Sequence, residues 1–167
     1  ARNANGMSDI ITTNVTEKNP AARRSIWWVY YMYGQMSGDY VSMNTTGDEA
    51  FTGAVAVDKN EKEIKIAVAK NDLDGPVNIV LNDIPFEYKN AVIELYKITN
   101  SEAEGLEWQK ETVPVVYENN NMTFSINGVL ANETWFAVVK EADAKPGFFA
   151  PIAPEDSDAA SATQTFV

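Results

Sequence analysis

The chain reads as all-β: an antiparallel β-sandwich of about eight strands with one N-terminal helix packed on it. Three features predict this. Short runs rich in β-branched and aromatic residues recur from Tyr40 onward, divided by turn residues. Within the clearer runs apolar residues fall at every second position, so one face packs inward and the other meets solvent. One stretch, Ile26-Trp27-Trp28-Val29-Tyr30-Tyr31-Met32-Tyr33, breaks that pattern by being apolar or aromatic throughout.

That stretch belongs to a helix predicted over Pro20 to Ser37. Asn19 is placed to cap it, Pro20 suits its first position, and Gly38 supplies a C-terminal glycine. Such a helix is about 27 Å long. Eight apolar residues over two turns put aromatic surface on every side, which calls for burial against two partners. The sandwich supplies one.

The segments Tyr40 to Asn44, Phe51 to Val57, Glu63 to Ala69, Val77 to Leu81, Ala91 to Ile98, Thr112 to Tyr117, Met122 to Ile126 and Trp135 to Val139 are the predicted strands. Phe51, Val55 and Val57 share a face, as do Ile64, Ile66 and Val68, then Val77, Ile79 and Leu81, and Met122, Phe124 and Ile126. Asp58 to Glu61 and Asn119 to Asn121 are hairpin turns. Val92 to Tyr96 and Trp135 to Val139 are apolar on both faces, which places them under the helix or in the sheet centre. The organisation is then 1–38, a loop and the apolar helix; 39–143, the sandwich; and 144–167, a Pro-containing acidic linker or tail in which Phe148 to Ile152 docks back on the sandwich.

Composition narrows function. In 167 residues, 45% hydrophobic content suffices for one core. A net charge of -11 disfavours nucleic acid and anionic membrane, which need clustered Lys and Arg. No run of about 18 apolar residues predicts a membrane span, and no signal peptide is visible. Cysteine and histidine are absent, so disulfides, thiol or Ser-His catalysis and the usual zinc sites are excluded, and no metal or cofactor is expected. Asn71 to Gly75 opens like a calcium loop but lacks the closing glutamate, with Asn82 and Asp83 in its place, and reads as an acidic turn.

A family resemblance rests on two things. Asn19-Pro20, Ala22-Arg23-Arg24-Ser25-Ile26-Trp27-Trp28-Val29-Tyr30, Tyr33, Met36-Ser37-Gly38 and Val41 resemble the last helix of the (β/α)8 barrel in clan A glycoside hydrolases. The series Ala54 to Asp58, Ile64 to Asp72, Val77 to Pro85 and Val92 to Ile98 is similar, in order and spacing, to the β-sandwich those enzymes carry after the barrel. The β-agarase/porphyranase and xylosidase/arabinofuranosidase types are the members it most resembles, over about Asn19 to Glu141.

The resemblance implies a non-catalytic accessory domain of a secreted or extracellular polysaccharide-degrading enzyme, with the catalytic barrel as its partner. The family's two catalytic glutamates would lie upstream of Ala1, and none is carried over. Glu61, Glu63, Glu118 and Glu133 read as turn or solvent-face residues, so this chain is not an enzyme on its own. Trp27, Trp28, Tyr30 and Tyr31 are the candidate barrel or partner interface, or a self-association surface. The competing reading is a carbohydrate-binding module that stacks neutral polysaccharide on Trp108, Tyr117, Tyr88 and Tyr40. A purely structural cap of the barrel is the third.

Overall fold

The computed structural model describes residues 25–46, 52–69, 74–98, 106–112, 115–131, 133–145 and 147–148, with the backbone alone for 106–112. Helix α1 spans Ser25–Tyr33. The strands are β1 (Asp39–Val41), β2 (Thr52–Asp58), β3 (Glu63–Ala69), β4 (Gly75–Leu81), β5 (Ala91–Ile98), β6 (Leu106–Thr112), β7 (Val116–Glu118), β8 (Asn121–Val129) and β9 (Thr134–Glu141). Among the described residues these form a six-stranded sheet, ordered β1-β2-β3-β9-β5-β6, and a three-stranded sheet, ordered β4-β8-β7. Each recorded strand pairing is antiparallel.

The predicted sandwich with one helix packed on it is what the chain forms, with nine strands among the described residues. The difference lies at Thr112 to Tyr117, expected as one strand. The chain there switches sheets, ending β6 beside β5 and starting β7 beside β8. The helix also ends sooner than Ser37. Gly34 N–H still bonds to Tyr30 O, but Gln35 N–H reaches back only to Met32 O and Met36 N–H to Tyr33 O, a tightened final turn that swings Met36 into the core. Gly38 is therefore not the helix cap. At φ +95° it brings the chain so close to β2 that a Cβ would lie 2.2 Å from the Val57 carbonyl oxygen.

Both predicted hairpin turns are present. Asp58 Oδ1 accepts from the Asn60 and Glu61 amides. Asn119 and Asn120 both take positive φ, 51° and 61°, a pairing of two left-handed residues that matches the twist of the strands it joins.

Two cores flank the large sheet. Between the sheets lie Val55, Val57, Ile64, Ile66, Val68, Ile93, Leu95, Trp135, Ala137 and Val139, facing Val77, Ile79, Met122, Phe124 and Ile126. Those from β2, β3, β4 and β8 are the alternate positions the sequence assigns inward. On the outer face, Ala56, Ala67, Tyr96, Ile98, Phe136 and Val138 pack beneath Met32 and Met36, with Phe148 in the same cluster. This second layer explains why β5 and β9 are apolar on both faces. The tail beyond Phe148 lies outside the described residues.

Charge is also buried on the outer face. Lys140 and Glu94 pair at 3.2 Å with side chains only 1% and 2% exposed, and Lys65 pairs with Glu63 at 3.3 Å. Glu63 on this face, and Glu133 on the inner side beside Trp135, are buried instead of solvent-facing. Each has a lysine to satisfy it, Lys97 lying 2.8 Å from Glu133, and a buried carboxylate so paired can stay in a packed layer.

Candidate functional site

A helix carrying apolar residues at every position can turn any side toward the sheet, so packing alone sets its phase. In α1 the Met32 side chain is fully buried, and Trp28, Val29 and Tyr31 pack against the same outer-face cluster. Trp27 stacks on Tyr31, with centroids 4.9 Å apart and planes 15° apart, and meets Trp28 edge-on at 4.9 Å. On the opposite side stand Ile26, Tyr30 and Tyr33, spaced by four and three residues, at 39%, 62% and 46% exposure. Of the residues expected at a partner interface, Tyr30 is on the open side, whereas Trp27, Trp28 and Tyr31 are half-buried. Ile26 and Tyr33 join it there.

Strand β1 extends the stripe. Tyr40 lies opposite Ala56, which belongs to the outer-face cluster, and its ring is 53% exposed. Its centroid lies 6.0 Å from that of Tyr33 with planes 31° apart. A hydrogen bond shared with Tyr33, helped by burial, holds the Tyr40 hydroxyl above its ordinary pKa. The pair is bordered by the exposed Asp39–Lys59 contact at 3.6 Å.

The other three sugar-stacking candidates lie elsewhere. Tyr88 is a core residue, closed off by Phe86 edge-on at 5.3 Å and Tyr117 at 6.0 Å, so no sugar can reach its ring face. Burial, with the negative charges of Glu63 and Glu141 nearby, pushes its hydroxyl well above the usual tyrosine range. Tyr117 is half-buried and donates to Asn120 Oδ1 at 3.1 Å, steadying the β7–β8 turn. Trp108 falls in β6, and its side chain lies outside the described residues.

A cleft of about 900 Å³ opens between the sheets where β1 and β2 face the free edge of β4. Its floor is aliphatic, from Val55, Ile64 and Ile66, and its rim carries Asn44, Asn78 and Asp83. No aromatic ring is among its described lining residues. Asp74, at the suspected calcium loop, accepts the Ala131 amide at 2.8 Å; residues 71–73 lie outside the described residues. Among the described residues no group of three acidic side chains stands together as a metal site, and no helix is long and apolar enough to cross a membrane.

No protein-family model and no curated protein matches the chain. Among solved structures, N2152 from Neocallimastix frontalis matches with a TM-score of 0.62 at 19% identity, covering 72% of this chain and 31% of that one. AbfB, a family 51 α-L-arabinofuranosidase from Bifidobacterium longum, overlaps at a TM-score of 0.42 and 11% identity, over 72% of this chain and 26% of its own. CelM2, a bifunctional glucanase-xylanase from a metagenome library, overlaps at 0.38 and 12%, over 55% and 16%. The chain spans about a third of N2152 and smaller shares of the other two, and its likeness to N2152 is one of fold.

Proposed function

We propose that this chain is a non-catalytic β-sandwich accessory domain of a polysaccharide-degrading glycoside hydrolase, acting outside the cell to support a catalytic (β/α)8 barrel. The observation that carries the reading is the two-sided helix. One side of α1 is built into the outer-face core, while Ile26, Tyr30 and Tyr33 form an apolar stripe on the other. A stripe of this kind on a helix already fixed to a sheet suits a second body. The resemblance of Asn19 to Val41 to a last barrel helix supports a catalytic barrel as that body.

The test has two arms. Assayed against neutral and sulfated algal and plant polysaccharides, the chain should release no sugar, and turnover would overturn the non-catalytic assignment. In sedimentation the chain without a barrel should self-associate through the stripe, and Tyr30→Lys with Tyr33→Lys should return it to monomer. A wild-type chain that is strictly monomeric would remove the partner face.

Tyr33 and Tyr40 favour a second reading, sugar binding, because they put two exposed rings side by side. Stacking without buried ionic contacts gives weak affinity, and the acidic surface suits neutral glycans over sulfated or uronic ones. Titration with neutral oligosaccharides, comparing the chain with Tyr40→Ala, separates this reading from the first.

A further inference from the structure

We propose that the strap formed by Ala144, Lys145, Gly147 and Phe148 is a clamp that holds α1 on the sandwich, so that release of the strap releases the helix. Two cross-strand rows on the outer face set its geometry. Lys65, Val138 and Glu94 stand side by side across β3, β9 and β5, and Ala67, Phe136 and Tyr96 form a second row. Gly147 crosses the first row over Val138, so closely that a Cβ would lie 2.4 Å from Val138 Cγ1. Only a residue without a side chain fits there.

On one side of that crossing Glu94 Oε2 accepts the Gly147 amide at 3.0 Å and the Tyr96 hydroxyl at 2.6 Å. Lys140 Nζ, paired with Glu94, donates to the Ala144 and Lys145 carbonyls, each at 2.7 Å. On the other side Lys65 Nζ donates to the Gln35 carbonyl at 3.1 Å, just past the end of α1, and lies 5.6 Å from the centre of the Phe148 ring. Phe148 covers the second row, edge-on to Tyr96 at 5.1 Å and to Phe136 at 5.7 Å, and shares its cluster with Met32 and Met36. The strap and the helix therefore stand on one floor, in one cluster with Phe148, and Lys65 reaches both the Gln35 carbonyl and the Phe148 ring.

Native-state hydrogen exchange on the whole chain tests this. Phe148→Ala should speed exchange of the α1 amides at least about tenfold, together with those of the strap, as expected when a buried ring is lost. Amides of β4 and β8, in the other sheet, should keep their rates. Gly147→Ala, which displaces the strap without removing the ring, should act in the same direction. If Phe148→Ala does not fold, Phe148→Leu gives the same reading at smaller amplitude. Acceleration confined to the strap, or equal acceleration in β4 and β8, would overturn the clamp.

Discussion

The Tyr88 hydroxyl donates to the Val139 carbonyl at 3.3 Å, tying the loop before β5 to the central strand of the large sheet from within the core. Burial raises the pKa of Tyr88, and burial with a hydrogen bond to Glu94 raises that of Tyr96. Their folded pKa values lie above the unfolded value of about 10, so folding favours the protonated phenols and this stability is lost as pH rises past that value. Ultraviolet titration should show two of the seven tyrosines ionising only as the protein unfolds in base. Ionisation of all seven in a folded chain would contradict the burial.

In acid, groups of opposite sign compete. The Glu141 carboxylate accepts the Lys89 and Asn90 amides at 2.7 and 3.0 Å, which lowers its pKa, so its contribution is present above the ordinary glutamate range and lost as pH falls through its folded value. Glu63 is shifted upward by burial, so its part of the stability falls as pH rises from the unfolded value through the folded one. Glu141→Gln should therefore shallow the acid limb of the stability curve, and Glu63→Gln should relieve a loss on the rising side. Chemical denaturation across pH reads both.

Lys140→Met leaves Glu94 buried without its cation, and we expect a loss of about 3–5 kcal/mol in urea unfolding. Adding Glu94→Leu should restore part of that, since a buried pair replaced on both sides by apolar groups is often nearly neutral.

At the β7–β8 turn, Asn119→Val puts a β-branched residue at φ 51°. The expected cost is about 1–2 kcal/mol, while Asn119→Gly should be close to neutral. Thermal unfolding of the two variants distinguishes backbone strain from a side-chain role.

Much of this architecture was legible because period-two runs such as Ile64, Ile66, Val68 and Met122, Phe124, Ile126 do face one core. Strand β6 was not, because Glu107, Gln109, Lys110 and Glu111 give it the composition of a polar edge, where apolar alternation fades. Nor was the buried charge. Glu63 and Lys65 sit at the alternate positions of β3 that read as solvent-facing, and only the layer of α1 and Phe148 on that face turns outside into inside. The open stripe of the helix escaped for the converse reason: where every residue is apolar, sequence carries no phase, so Tyr33 looked no different from Tyr31. Tyr88 misled because a lone tyrosine among Lys, Glu and Asn resembles a surface residue until Phe86 and Tyr117 close around it.

The position of β9 has a consequence for how the chain assembles. The β2–β3 and β5–β6 hairpins can close from neighbouring sequence, but β3 and β5 face each other only across β9, which is the last of the described strands to leave the ribosome. Until Thr134 to Glu141 emerges, the two hairpins carry bare edges, and joining them requires closing long loops whose entropy must be met before any reward arrives. Folding should then wait on one late strand, on the order of milliseconds to seconds as for other sandwiches. A nascent chain stalled before Thr134 would hold two unjoined half-sheets, the species most exposed to strand exchange with its neighbours on a polysome.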